Sequence, residues 1–182
     1  MAGKSWILGG IGDVFLNRPD PERAFDKSQA TLKAIDLLFA NCEGAFTDRP
    51  QYAPSAGWRV VSGLRNAAPL GAANFHVMSL ANNHTLDAGH VGLADTTAEL
   101  GRQGIAACGA GADLAEARKP ATIERQGIKV AFLAYSSVYQ AGYEARAKVP
   151  GLAAMRIHSH YYIPDWDAYG KVEPGVQPQV RT

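Results

Sequence analysis

Cysteine is almost missing from this chain, with two in 182 residues. Cys42 and Cys108 do not make a disulfide framework. Both sit in apolar segments, where a small buried thiol is expected. An excess of one charge is missing too, the net charge being +1. No basic cluster interleaves with aromatics, which leaves no electrostatic case for nucleic acid or an anionic membrane surface. Long apolar runs are absent as well. Trp6-Ile7-Leu8 is interrupted at once by Gly9, Gly10 and Gly12, too soon for a signal-peptide core or a membrane span. These absences predict a cytoplasmic protein with no nucleic-acid or membrane partner. Apolar residues make up 47% of the chain, enough for one globular domain with a real core.

Strand-like and helix-like segments alternate. Ser5 to Leu16 reads as a strand that ends at Gly12-Asp13. Asp20-Pro21 opens a predicted helix over Glu22 to Ala34, with Asp20 as cap. Leu37 to Ala40 is a short strand ending at Asn41 and Glu43. A loop over Thr47 to Gly57 precedes a possible strand, Trp58 to Val61, and a helix over Leu64 to Ala72 kinked near Pro69. Phe75 to Leu80 is the third clear strand, followed by a helix from Val91 to Arg102 and a strand at Ile105 to Cys108. Thr122 to Arg125 and Lys129 to Tyr135 flank a Gln126-Gly127 turn and predict a hairpin. Such alternation predicts a layered α/β domain with a mainly parallel sheet. Beyond residue 140 the pattern weakens, and Pro150, Pro164, Pro174 and Pro178 punctuate an aromatic stretch. We therefore divide the chain into a domain over 1–140 and a tail over 141–182 that packs on the core or on a partner.

Chemistry gathers at three strand ends. Open α/β sheets bind ligands at the carboxyl ends of their strands. Gly12-Asp13, Asn41-Cys42-Glu43 and Asn82-Asn83-His84-Thr85-Leu86-Asp87 all fall at such ends. Carboxylates, amides and imidazole can bind a divalent metal, donate to an anion or move a proton. Each also has a duller role: Asp13 as a turn residue, Asp87 as the cap of the following helix or as the carboxylate that orients His84. His76 lies inside a strand and reads as a core or interface residue. His90 reads as solvent-facing.

Taken together, Gly12-Asp13, Ala34 through Gly44, Ser79 through Gly89, Gly104 through Pro120 and Gly127 through Tyr135 resemble the CapA family. That family is associated with poly-γ-glutamate capsule synthesis and belongs to the calcineurin-like metallophosphatases. The resemblance implies an α/β/β/α sandwich with a two-metal centre of Mn, Fe or Zn. It implies Asp13, Glu43 and Asn83 as metal ligands, with Glu43 between the metals and Asn82 as structural support. His84 is implied as the catalytic residue beside the substrate, with Asp87 behind it. The family pattern continues with His-Trp-Gly and then a His-x-His pair. His-Trp-Gly is absent here, and His158-Ser159-His160 comes early and runs into Tyr161-Tyr162-Ile163-Pro164. This chain is therefore expected to supply one part of the sandwich. A sheet face left open must pack on another layer. The expected partner is a second subunit carrying the missing histidines, or a second copy. The function expected is that of a metal-dependent hydrolase subunit acting on an ester, amide or ether-type substrate. The alternative is a non-catalytic accessory subunit in capsule polymer synthesis or export.

Overall fold

Apolar segments separated by glycine-rich turns build a parallel sheet in the computed structural model, which describes residues 6–157 and the backbone of residues 160–161 and 180–181. In chain order the first elements are β1 (Leu8–Val14), α1 (Gln29–Lys33), β2 (Leu37–Cys42), β3 (Ala45–Phe46), β4 (Val61–Ser62), α2 (Pro69–Ala72), β5 (Val77–Ser79) and α3 (Gly89–Arg102). There follow β6 (Ala106–Cys108), β7 (Ala110–Gly111), α4 (Leu114–Ala117), β8 (Ala121–Arg125), β9 (Ile128–Phe132), β10 (Gly151–Leu152), β11 (His160–Tyr161) and β12 (Val180–Arg181). The main sheet runs β1-β2-β5-β6, all parallel. β8 and β9 form the predicted antiparallel hairpin, and β7 pairs antiparallel with β10.

Side chains alternate across a strand, and both faces of β2 are apolar. Leu38, Ala40 and Cys42 point into one core with Met78, Leu80, Phe46, Leu70, Leu93 and Leu100. On the opposite face Phe39 stacks on Phe132 of β9, with ring centroids 5.4 Å apart. Val77, Cys108, Ala121 and Ile123 pack around that pair. The hairpin thus covers the β5–β6 side. Toward β1 the cover runs out, and Leu8, in register with the fully buried Leu37, is 52% exposed. Tyr143 and Leu152, from beyond residue 140, are buried in the first core.

Several expected elements are shorter than predicted. The helix over 22–34 is a 3-10 turn at Pro21–Arg23 and the single-turn-plus α1. Between them Ser28 Oγ donates to Phe25 O, a local bond that competes with the helical ladder. Asp20 takes the cap position, but its carboxylate pairs with Arg18 instead. The strand expected over 58–61 is only β4, and the helix over 64–72 is split into a 3-10 turn and α2 at Pro69. Asp87 does not cap α3. The cap is Ala88, with no side-chain bond, because both Asp87 oxygens are engaged elsewhere. His76 Nδ1 accepts from Leu38 N at 3.1 Å, and His90 is exposed. Of the expected His-x-His pair, His158 lies outside the described residues, and of His160 only its place in β11 is described. Among the described residues no helix is long and apolar enough to cross a membrane.

Gly44 turns the chain from β2 into β3 at φ +85°, and a Cβ there would stand 2.3 Å from Val60 O. Gly104 has a similar φ of +73° but open space around it. Urea unfolding is expected to show Gly104→Ala costing roughly 1–2 kcal/mol, the left-handed penalty alone, and Gly44→Ala costing clearly more. Equal costs would mean that the approach to Val60 carries no weight.

Candidate functional site

Register brings the predicted acids to one edge. Asp13, Asn41 and Ser79 stand side by side at the carboxyl ends of β1, β2 and β5. A bulge in β1 makes this possible. Gly10 pairs with Phe39 and Asp13 with Asn41, so Ile11 and Gly12 together oppose Ala40. Without that extra residue Gly12 would face Asn41, and Asp13 would point to the other side of the sheet.

Asn41 is the link between the acids. Its Nδ2 donates to Asp13 Oδ1 at 2.8 Å and to Glu43 Oε2 at 2.7 Å. Asn82 fixes which way that amide points, because Asn82 Nδ2 donates to Asn41 Oδ1 at 3.1 Å. Asn82 also donates to Cys42 O at 2.8 Å and accepts from His84 N at 3.0 Å. It is buried and bonded on both sides, so it acts as the support that was expected of it. The turn is closed by Thr85 Oγ1, which donates to Leu80 O. Asn83 lies half-buried between Asn82 and His84, and its amide makes no hydrogen bond among the described residues.

His84 is held from behind. Its Nδ1 lies 2.7 Å from Asp87 Oδ2. An ionised carboxylate only accepts, so Nδ1 carries the proton and donates it. Asp87 is fully buried, where a carboxylate requires donors. It has three: His84 Nδ1, Val60 N at 2.7 Å to Oδ2, and Tyr143 OH at 2.9 Å to Oδ1. Burial, and then the neighbouring Asp87, pushes the Tyr143 phenol well above its usual range, so it remains a donor. On its other side, His84 Nε2 lies 3.7 Å from Glu43 Oε1. Burial raises the Glu43 pKa, partly offset by the Asn41 hydrogen bond. Cys42 next to it faces the core, and burial pushes its thiol up to about 12. It is an inert packing residue.

The structure thus brings Asp13, Glu43, His84 and Asp87 into one connected network. Asn41 and Tyr143 join them without having been singled out from the sequence. Strand alternation signals Asn41, since it lies two residues before Glu43 and shares its side. Nothing local signals Tyr143, which is 56 residues from Asp87. The donors here are carboxylates, amides and an imidazole, which suit Mn, Fe or Zn in kind. In number they fall short. Among the described residues no group of three or more His, Cys, Asp or Glu is placed to hold a metal ion.

Comparison with known proteins accords with this architecture. The family described as bacterial capsule synthesis protein PGA_cap matches residues 2–176. The chain is 37% identical over 127 residues to a probable polyglutamine synthesis accessory protein of Mycobacterium tuberculosis, covering 68% of this chain and 33% of the relative. It is 26% identical over 152 residues to the PGA biosynthesis protein CapA of Bacillus subtilis, covering 78% of this chain and 40% of the relative. An uncharacterized protein of Sinorhizobium fredii is 30% identical over 170 residues, covering 84% of this chain and 36% of the relative. The chain therefore spans between a third and two fifths of the length of these relatives. It belongs to the PGA_cap family, whose fold is metallophosphatase-like.

Two substitutions test the site's energetics. Asn82→Ala leaves Cys42 O and His84 N unpartnered and is expected to cost about 2–4 kcal/mol in urea unfolding. A cost near zero would mean that water replaces the amide freely. Glu43 has a folded pKa above its unfolded one, so the folded state binds the extra proton. Its contribution to stability is favourable at low pH and is lost as pH rises through the folded pKa. Glu43→Gln should therefore be more stable than the parent at pH 7. The difference should shrink to nothing below about pH 4, where glutamate is protonated in both states.

Proposed function

We propose that this member of the PGA_cap family supplies one side of a dinuclear metal centre in a hydrolase. The observation that carries the reading is the meeting of Asp13 and Glu43 across the Asn41 amide, with His84 held beside Glu43. Asp13, Glu43 and Asn83 are the residues that would hold divalent ions of Mn, Fe or Zn. Such ions, when bound, lower the pKa of water and offset negative charge in a transition state. Asn41 and Asn82 keep the two carboxylates at one edge of the sheet. Asp87 fixes the tautomer of His84, so the imidazole presents its Nε2 to the open side. From there Nε2 can take up a proton, and as the imidazolium that Asp87 stabilises His84 can hydrogen-bond a developing anion or pass that proton to a leaving group.

Completion of the site falls to a second subunit that brings the missing histidines, or else a second copy of this chain packs on the open sheet face. The short donor set among the described residues and the exposed apolar side chains of Leu8, Val138, Met155 and Ile157 support that reading. The relatives' names, a polyglutamine synthesis accessory protein and a PGA biosynthesis protein, support polymer synthesis as the setting, and the bond acted on would be an amide, ester or ether-type linkage. A second reading is that of an accessory subunit in capsule polymer synthesis or export with no chemistry of its own. The wording "accessory protein" for the mycobacterial relative favours it.

Metal analysis separates the two. Purified with the polypeptide that completes the site, the protein is expected to hold close to stoichiometric Mn, Fe or Zn, and Asp13→Ala and Glu43→Ala should remove most of it. His84→Ala should retain the metal and lower polymer cleavage about 100-fold or more, the usual loss for a general acid. Metal-free protein that supports polymer assembly at full rate would establish the accessory reading instead.

A further inference from the structure

We infer that Tyr143 is a positioning residue of this site, acting on His84 through Asp87, and that the strap from Gln140 to Leu152 sets its place. The inference rests on the proposed role of His84 as the acid–base group.

The hydrogen bonds divide the work on Asp87 unevenly. Oδ2 receives both Val60 N and His84 Nδ1, whereas Oδ1 receives Tyr143 OH. Rotation about Cβ–Cγ moves both oxygens together, so the bond from Tyr143 OH to Oδ1 restrains the angle at which Oδ2 meets its own partners. The phenol therefore aims Oδ2 at the imidazole. Its removal leaves Oδ1 buried and unpaired among the described residues, a state that a carboxylate escapes by rotating or by taking a proton. Tyr143 is 1% exposed. A phenylalanine would fill the same space, so only the hydroxyl distinguishes tyrosine here.

The strap is anchored at the far end of the central sheet. Gly151 and Leu152 of β10 pair with Gly111 and Ala110 of β7, which follows β6. Leu152 N then donates to Tyr143 O at 2.9 Å, and Ala145 N donates to Leu152 O at 2.9 Å. At the other end Tyr143 N donates to Gln140 O at 3.1 Å. Gly151 is crowded by this fold-back, since a Cβ there would come 2.5 Å from Tyr143 O. A side chain at Gly151 must displace the backbone of Tyr143 to Ala145, and with it the phenol's seat on Asp87. A continuous mechanical line therefore runs from β6 through β7, β10 and Tyr143 to Asp87 and His84.

The test is the tautomer of His84, read by nitrogen-15 NMR on the full-length protein, without metal or substrate, at a pH where the imidazole is neutral. The parent should show the Nδ1–H form in large excess. Tyr143→Phe should lower the ratio of Nδ1–H to Nε2–H about ten-fold, the scale on which outer partners act on active-site histidines. Asp87→Asn should lower it at least as far, and adding Tyr143→Phe to Asp87→Asn should change nothing more, because both act through one bond. Gly151→Val should shift the ratio in the same direction. Should that variant fail to fold, Tyr143→Phe, which removes a single oxygen, carries the test alone. An unchanged ratio in folded Tyr143→Phe, or an equal further loss in the Asp87→Asn background, overturns the inference. Where hydrolysis is measurable, Tyr143→Phe should lower kcat and leave KM near the parent value. The NMR ratio needs no turnover, so a failure of the hydrolase reading leaves this result standing on its own.

Discussion

A buried carboxylate is the constraint on which the site is built. Asp87 has no exposed surface, so every donor it needs must come from the protein. Those donors come from three places far apart in sequence: Val60 before β4, His84 on the turn after β5, and Tyr143 on the strap. Satisfying one side chain thus ties together three loops that no strand ladder connects. The imidazole gains a fixed tautomer as a consequence of that tying. Structural need and the role proposed for His84 are met by the same three hydrogen bonds.

Much of the architecture can be read from the chain because it depends on local patterns. The parallel strands β1, β2, β5 and β6 announce themselves as apolar runs ending in polar residues, and the Gln126-Gly127 turn marks its hairpin. Family resemblance added that these strand ends belong together, and PGA_cap membership agrees with it. The helical segments were less legible. The stretch after Asp20 has a plausible helical pattern, yet Ser28 bonds to Phe25 O and the helix shrinks to α1. Asp87 looks like a cap from its position alone. Besides His84, three residues before it, its partners lie 27 and 56 residues away, beyond what any local pattern records.

Two amides do different work at the sheet edge. Asn82 is saturated by backbone and side-chain partners and serves as scaffold. Asn41 spends both of its hydrogens on carboxylates. A β-bulge is what allows the bond to Asp13, since it returns Asp13 to the face that Asn41 and Glu43 share. An irregularity of one residue in an edge strand therefore decides whether the two acids are neighbours or lie on opposite sides of the sheet.

The Asn41 amide has a consequence for the two acids that it joins. Two carboxylates side by side repel one another, and a cation is the usual remedy. Here a neutral group with two polarised hydrogens already quiets that repulsion. The spacing of the two acids is thus set by the polypeptide's own hydrogen bonds, with the amide as the wedge between them.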